Sequence, residues 1–288
     1  MATNETDLYI AAMSDDLDEV KRLINEGTNV NNRDSQGRTP LFIASLRGNT
    51  EVVKYLLENG ADINTQTIGI GFTPLMVASI NDKVEVVKLL LENGAYVNKT
   101  NSEGKTSLWL VSNYGNVKVV RLLLEHGADV NQTDNEGRTP LSCAAESNEV
   151  EVIGFLLEHG ADVNQLDNQK QTPLLFASSY NNIKTVKFLL EHGADVNQAS
   201  KKGQTPLSVT TNQDIINVLK EKVVMSVVAA AREKLEPKDD PFIMDPSNVK
   251  DLNDYLGGKK RRKKSIKKKR KTKKRKKSIK KRRKIIKK

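Results

Sequence analysis

The chain has 288 residues, of which 37% are hydrophobic and 5% aromatic. Both fractions are low for a globular core and suit thin layers that bury one face at a time. No apolar run approaches the ~20 residues of a membrane-spanning helix, and the N-terminal residues lack the basic and apolar regions of a secretory signal. The single cysteine, Cys143, excludes a disulfide framework and predicts a reducing, intracellular compartment.

The charge is distributed unevenly along the chain. The net charge is +11, but residues 259–288 hold 23 of the 47 Lys and Arg residues and no acidic residue. The residues before 259 therefore carry 24 basic and 36 acidic side chains, a net of −12. An acidic body with a basic tail indicates a segment for nucleic-acid contact, membrane contact or targeting.

Residues 1–33 show two short apolar patterns at helical spacing, one around Leu8 and one from Leu17 to Ile24. Gly27 follows at the position where a left-handed glycine ends a helix. Because this segment lacks the leading loop that the later segments share, we expect it to be an atypical terminal repeat.

From residue 34 onward, the tripeptide Thr-Pro-Leu recurs at a fixed distance. It begins at Thr39, Thr73, Thr139, Thr172 and Thr205, and a Thr-Ser-Leu copy begins at Thr106. The steps are 33 residues, except for the first, which is 34. Self-similarity at this period indicates a stacked-repeat architecture.

Residues 34–66 show the plan of one unit. A turn sequence, 34–38, is followed by Thr39, which is suited to cap a helix, and by Pro40, which suits the first helical position. A short inner helix and an outer helix then end at Gly60. One such unit cannot hide its Leu and Val face alone, whereas stacked neighbours can.

The Gly-x-Thr-Pro-Leu entry, the Val-Val-x-x-Leu-Leu second helix and the Gly-Ala-Asp-Val-Asn exit resemble those of the ankyrin-repeat family, over roughly residues 6–222. The resemblance implies an all-α repeat solenoid, an ankyrin stack of helix–turn–helix units with projecting hairpin loops, followed by a disordered basic tail. The predicted boundaries are 1–33 for an N-terminal capping repeat, 34–66, 67–100, 101–133, 134–166 and 167–199 for full repeats, 200–222 for a C-terminal capping repeat, 223–258 for a helix extension and linker, and 259–288 for the tail.

The chain departs from the family pattern in three places. The hairpin before Thr73 has one extra residue, which predicts a longer and displaced loop, and Lys170 stands where other units have the turn glycine. The family histidine after Thr-Pro-Leu, which helps to tie the helix start, is replaced throughout, so we expect weaker turns there. The replacing residues are Phe42, Met76, Trp109, Ser142, Leu175 and Ser208.

No residue pattern predicts catalysis. His126, His159 and His192 recur in three Leu-Glu-His-Gly-Ala copies. Stacked helices lie ~8–10 Å apart and zinc–nitrogen bonds are ~2 Å, so we interpret these histidines as repeat residues near helix C-termini. Cys143 is interpreted as a small buried hydrophobe. Phosphate-binding, zinc-protease and calcium-loop motifs are lacking, so we expect a non-enzymatic protein without cofactor or metal.

The exit motif repeats acidic and amide side chains for which we expect structural roles. Asp129, Asp162 and Asp195 are expected to bind the backbone, and Asn131, Asn164 and Asn197 to cap it. For the three asparagines, the resemblance also implies hydroxylation as an alternative.

The resemblance implies a protein-binding concave face formed by hairpin tips and inner helices. The positions that line it, and that we predict to bind a protein partner, are Arg38, Leu46, Arg47, Ile70, Phe72, Ile80, Trp109, Tyr114, Arg138 and Tyr180. Aromatic, aliphatic and arginine side chains of this kind dominate interface energetics. Packing between inner helices is the alternative for Leu46 and Ile80. We expect a monomer.

Two segments follow the repeats. Val223 to Leu235 is predicted to extend the last helix, and prolines then indicate a linker at 236–258. The tail is expected to be disordered because of its charge density. Its main basic clusters are Lys259, Lys260, Arg261, Arg262, Lys263, Lys264, Lys273, Lys274, Arg275, Lys276 and Lys277.

The tail has no aromatic residue to stack on bases, so its predicted contacts are non-specific ones with phosphate. We expect it to direct nuclear localisation; cytoplasmic location, contact with anionic lipid and masking of the acidic stack remain alternatives. The leading hypothesis is an adaptor that holds a protein partner on the repeats. The rival is a nucleic-acid-associated protein whose tail is the active part and whose stack regulates it.

Overall fold

The computed structural model describes residues 2–233, with backbone alone for 2–6 and 229–233. The predicted linker and basic tail lie outside the described residues. Within 2–233 the chain is all helical and has no strand, which confirms the predicted fold class. The helices are α1 Ala2–Ser14, α2 Leu17–Asn25, α3 Pro40–Arg47, α4 Thr50–Glu58, α5 Pro74–Ile80, α6 Val84–Glu92, α7 Ser107–Val111, α8 Val117–Glu125, α9 Pro140–Ser147, α10 Val150–Glu158, α11 Pro173–Ser179, α12 Ile183–Glu191, α13 Pro206–Val209 and α14 Gln213–Glu233.

The helices form two rows. From α1 to α11, each odd-numbered helix packs on the even-numbered helix that follows it and on the next odd-numbered helix, so that the odd helices make an inner row and the even helices an outer row. The last helix continues past the predicted repeat boundary to Glu233, consistent with an extended final helix. None of the helices in the described part of the chain is both long and apolar enough to span a bilayer.

Threonine caps start the inner helices. Thr39 Oγ1 accepts a hydrogen bond from the Phe42 N–H at 3.2 Å, and Pro40 occupies the first turn, where no N–H is needed. The same cap recurs at Thr73, Thr106, Thr139 and Thr172. The residues that replace the family histidine bury their side chains below these caps, except Ser208 in the last unit. The threonine cap is therefore retained without the histidine.

One apolar core runs between the two helix rows. In the second unit, Leu41 and Ala44 of α3 meet Val52, Val53 and Leu56 of α4, all fully buried. Equivalent residues of each unit join the same cluster from Leu8 to Leu219. A fully buried leucine contributes about 1.5–3 kcal/mol, so stacking supplies the stabilisation that a single thin unit lacks.

Hairpin loops project from the inner row and bond to one another. In most units the first loop residue donates its N–H to the last, as Asp134 does to the Arg138 carbonyl at 3.0 Å. Each tip also bonds to the next: the Ile68 N–H donates to the Gln36 carbonyl at 2.8 Å, and the Ser102 N–H donates to the Ile70 carbonyl at 2.9 Å. The extra residue makes the 67–72 loop longer, as expected. The prediction that this loop is displaced is wrong, because it keeps both tip-to-tip bonds.

Lys170 adopts the left-handed conformation of the glycine that it replaces. Its φ is +58°, and the turn glycines Gly37, Gly104, Gly137 and Gly203 have φ between +73° and +80°. The Lys170 N–H still donates to the Asp167 carbonyl, at 2.9 Å. The turn is formed, but with a side chain in a region that L-residues avoid.

The exit asparagines link neighbouring units. Asn131 Nδ2 donates to the Gly160 carbonyl at 3.1 Å, and Asn131 Oδ1 accepts from the Asp162 N–H at 3.1 Å. The same pair of bonds recurs at Asn31, Asn98 and Asn164. At the end of the stack, Asn197 Nδ2 donates instead to Ser226 Oγ of α14, at 3.4 Å. The extended last helix thus takes the place of a further unit.

Candidate protein-binding surface

The inner surface is formed by the residue before each cap threonine and by the side of the inner helices that faces away from the main core. Two apolar clusters, separate from that core, lie along it. The first joins Phe42, Ile43 and Val77 with the partly buried Tyr9, Met13, Leu46 and Phe72. The second joins Met76, Trp109, Leu110 and Cys143 with Phe72 and Ile80. Phe72 belongs to both, so the apolar strip is continuous across the first five units, from Tyr9 to Cys143.

Arginines border the first cluster. Arg38 lies over the Tyr9 ring at 5.3 Å and forms an ion pair with Asp34 at 2.7 Å. Burial raises the pKa of the Tyr9 hydroxyl, while the charges of Arg38 and Arg47 oppose that rise. Arg47, in the last turn of α3, is exposed, and no ion pair involves it within residues 7–228. This end of the surface is therefore apolar with a free positive charge at its edge.

Trp109 joins the inner helix α7 to the next hairpin. Its ring is buried, with 7% exposed, and its Nε1 donates to the Arg138 carbonyl at 3.0 Å. Lys105 Nζ and the Arg138 guanidinium lie 4.5 Å and 5.3 Å from the ring centroid, at cation–π distance. The indole thus supports the two basic side chains that precede Thr106 and Thr139.

Three carboxylates surround Arg138. Its guanidinium contacts Asp134 at 3.1 Å, Glu136 at 3.3 Å and Glu146 at 3.8 Å. Burial alone would lower the pKa of Arg138, but the charges of Asp134 and Glu136 outweigh it and raise that pKa. The guanidinium is fully engaged, and one positive charge faces three negative ones. This part of the inner surface therefore carries an excess of negative charge.

Tyr180 lies close to this excess of negative charge. Interaction of its hydroxyl with the neighbouring Glu146 carboxylate, through hydrogen bonding and charge, raises the pKa of Tyr180. Nearby, a cleft of about 340 Å³ opens between the hairpins at 134–138 and 167–171, with Glu136, Arg138 and Phe176 among its lining residues. The arrangement offers a negative, partly aromatic site to a basic side chain.

The predicted binding residues fall into three groups by exposure. Arg47, Ile70, Tyr114 and Tyr180 are exposed; Arg38, Leu46, Phe72, Ile80 and Arg138 are partly buried. Trp109 is buried and supports other residues of this surface, and its contact with a partner stays a prediction. Tyr114 and Tyr180, 55% and 56% exposed, occupy the same repeat position, eight residues after the cap threonine.

Sequence reasoning missed Tyr9 and Glu146. Tyr9 lies in the first unit, which has no Thr-Pro-Leu from which to count a register. Glu146 lies seven residues after Thr139, as Ile80 lies seven after Thr73. The repeat register therefore contained the signal for Glu146.

The remaining repeated polar groups have local partners. His126 Nδ1 hydrogen-bonds with the Leu122 carbonyl at 2.8 Å, and His159 and His192 make the same bond within their own units. Asp129 Oδ1 accepts from the Asn131 N–H at 2.9 Å, and the other two exit aspartates do likewise. Burial, assisted by the charge of Glu146, raises the pKa of the Cys143 thiol to about 12. A thiol held protonated in this way is a weak nucleophile.

Comparisons with known proteins agree with this geometry. A family model described as "Ankyrin repeats (3 copies)" matches residues 8–101 and 75–167, and one described as "Ankyrin repeats (many copies)" matches residues 156–209. Among solved structures, the human ASB11 ankyrin repeat domain is similar, with a TM-score of 0.68 and 28% sequence identity over 74% of this chain and 95% of that one. No match was found among curated proteins.

Proposed function

Because this chain belongs to the ankyrin-repeat family, whose stacks are generally protein–protein interaction modules, we propose that it is a non-enzymatic adaptor that binds a protein partner along its inner surface. The observation that carries this proposal is the pair of exposed tyrosines, Tyr114 and Tyr180, beside a continuous apolar strip. The Thr, Pro, Leu and Gly residues that repeat are used for capping and packing. The residues that vary between units at this surface can therefore determine which partner binds.

Affinity capture with the full chain tests the proposal. We expect partners captured by the wild-type chain to be lost from a variant with Tyr114→Ser and Tyr180→Ser. The matched control is Tyr96→Ser, because Tyr96 is 64% exposed but follows the outer helix α6. Equal capture by all three chains would remove the inner surface as the binding site.

We also propose that the basic tail sets the location of the protein, with nuclear import as its main effect. The support is sequence composition: 23 basic residues and no acid within 259–288. A fluorescent fusion that ends at residue 258 should lose nuclear accumulation and keep its captured partners. If the tail alone retained function while the stack proved dispensable, the rival nucleic-acid hypothesis would hold instead.

A further inference from the structure

We propose that the inner surface is charge-polarised and accepts an elongated partner segment in one orientation. The acidic end of this segment lies at Arg47, its apolar middle lies on the strip around Phe72, and its basic end lies at Glu146. The proposal rests on the proposed protein-binding function, and it adds the chemistry and direction of the partner.

The positive end is defined by Arg47. It stands at the exposed end of α3 beside the Tyr9 and Leu46 cluster. The neighbouring Arg38 is neutralised by Asp34 at 2.7 Å. Asp15 and Asp82 lie in the turns that lead to outer helices, and neither forms an ion pair with Arg47 within residues 7–228. An acidic side chain on a partner would find an unpaired cation here.

The negative end is defined by Glu136 and Glu146. Both share Arg138 with the buried Asp134, and a single guanidinium cannot neutralise three carboxylates. Glu136 is largely exposed, and the partly exposed Glu146 carboxylate lies close to the Tyr180 hydroxyl at the edge of the surface. A partner lysine or arginine gains two acceptors here, with an aromatic ring beside them.

The distance between the two ends sets the length of the partner segment. Arg47 and Glu146 belong to units three steps apart, and stacked helices are spaced by ~8–10 Å. The two charges are therefore separated by about 24–30 Å, which an extended chain spans with about eight residues at ~3.3 Å each. The partly buried Phe72 and Ile80 lie between them, where apolar partner side chains are expected.

A displayed library of 12-residue peptides tests the charge pattern against the full chain. Its four arrangements are acidic at one end and basic at the other, acidic at both ends, basic at both ends, and neutral, each with a randomised apolar centre without tryptophan. Only binding that is lost in the Tyr114→Ser/Tyr180→Ser chain and kept in Tyr96→Ser is counted, which removes peptides held by the basic tail. We expect the bipolar arrangement to dominate. Equal enrichment of the four arrangements would overturn the proposal.

Fluorescence of Trp109, the only tryptophan of the chain, measures the orientation of the bound peptide. Trp109 lies one unit from Glu146 and two units from Arg47. Energy transfer from Trp109 to a dye on the best bipolar peptide should therefore be greater when the dye is on the basic end. Arg47→Glu and Glu146→Lys should each weaken binding by about fivefold, and the double variant should recover affinity with the order of transfer reversed.

The two proposals fail differently. If peptide binding depends on Tyr114 and Tyr180 but transfer is equal from both ends, or the charge variants bind as the wild type does, the orientation is overturned and the binding surface remains. If no peptide depends on the two tyrosines and captured proteins do not either, both the orientation and the proposed function are overturned.

Discussion

The Trp109 indole Nε1 donates a hydrogen bond to the main-chain carbonyl of Arg138 at 3.0 Å, from one repeat to the hairpin of the next. The bond lies beneath the inner surface and fixes the base of the Arg138 side chain, whose guanidinium lies 5.3 Å from the same indole ring. A residue predicted to contact a partner thus serves to position its neighbours.

Trp109→Phe should lower the free energy of unfolding by about 1–2 kcal/mol. The substitution removes one buried hydrogen bond, worth about 1 kcal/mol, and leaves a gap in a packed cluster. Chemical denaturation measures the loss, with Tyr114→Phe as control, because the exposed Tyr114 should change stability by less than about 0.5 kcal/mol. Equal stability of the two variants would show that the indole bond contributes nothing.

Lys170→Gly should raise the free energy of unfolding by roughly 0.5–1 kcal/mol. Lys170 has φ of +58°, and relief of about 1–2 kcal/mol of left-handed strain exceeds the entropy that glycine loses on folding. Gly137→Ala makes the opposite change in the preceding unit, where an added Cβ would lie 2.8 Å from the Asn168 main-chain nitrogen. Thermal unfolding compares the two. A lower stability for Lys170→Gly would contradict the strain that we infer.

Cys143 should make stability fall as the pH rises above about 8.5, the usual pKa of a free thiol. The folded thiol has its pKa raised to about 12 by burial, so between these values the unfolded chain loses a proton that the folded chain keeps. The stabilisation is complete below the unfolded pKa. Urea unfolding at pH 8 and pH 10 measures the difference. Cys143→Ala should show a smaller decline with pH, and an identical decline would contradict a strongly raised pKa.

Asn131→Ala should destabilise the stack by about 1–2 kcal/mol, because two inter-repeat hydrogen bonds are lost together. Asn197→Ala should lower the stability less, because the only such link that it removes is the 3.4 Å hydrogen bond to Ser226. Denaturation of both variants makes the comparison. A larger loss for Asn197 would mean that α14 is held by its asparagine more strongly than the repeats are.

Local chemistry made the helices and caps predictable from sequence. Thr-Pro at Thr39 specifies a cap and a first turn within three residues, and the exit glycine ends the outer helix. The burial of Trp109 was not predictable in this way, because it depends on a carbonyl 29 residues further along the chain. The displaced hairpin was wrongly predicted for the same reason: tip-to-tip bonds from Ile68 and Ile70 to neighbouring loops hold it in place.

The binding surface was predictable from the sequence only in part. The repeat register located Tyr114 and Tyr180, since equivalent positions in stacked units face the same way. The repeat register did not reveal which charges pair at this surface, because the ion pairs of Arg138 join residues from the hairpin and the inner helix of its unit. Only the structure shows that Arg38 and Arg138 are paired with neighbouring carboxylates and are therefore not free to bind a partner.

The central claim is that the inner surface binds a protein partner, and the affinity of a captured partner for three full-length chains tests it most directly. We predict that Tyr114→Ser/Tyr180→Ser weakens binding at least about tenfold, since buried aromatic contacts are each worth more than ~1 kcal/mol at an interface. Tyr96→Ser should bind as the wild type does. Unchanged affinity for the double variant, or an equal loss for Tyr96→Ser, would contradict the claim.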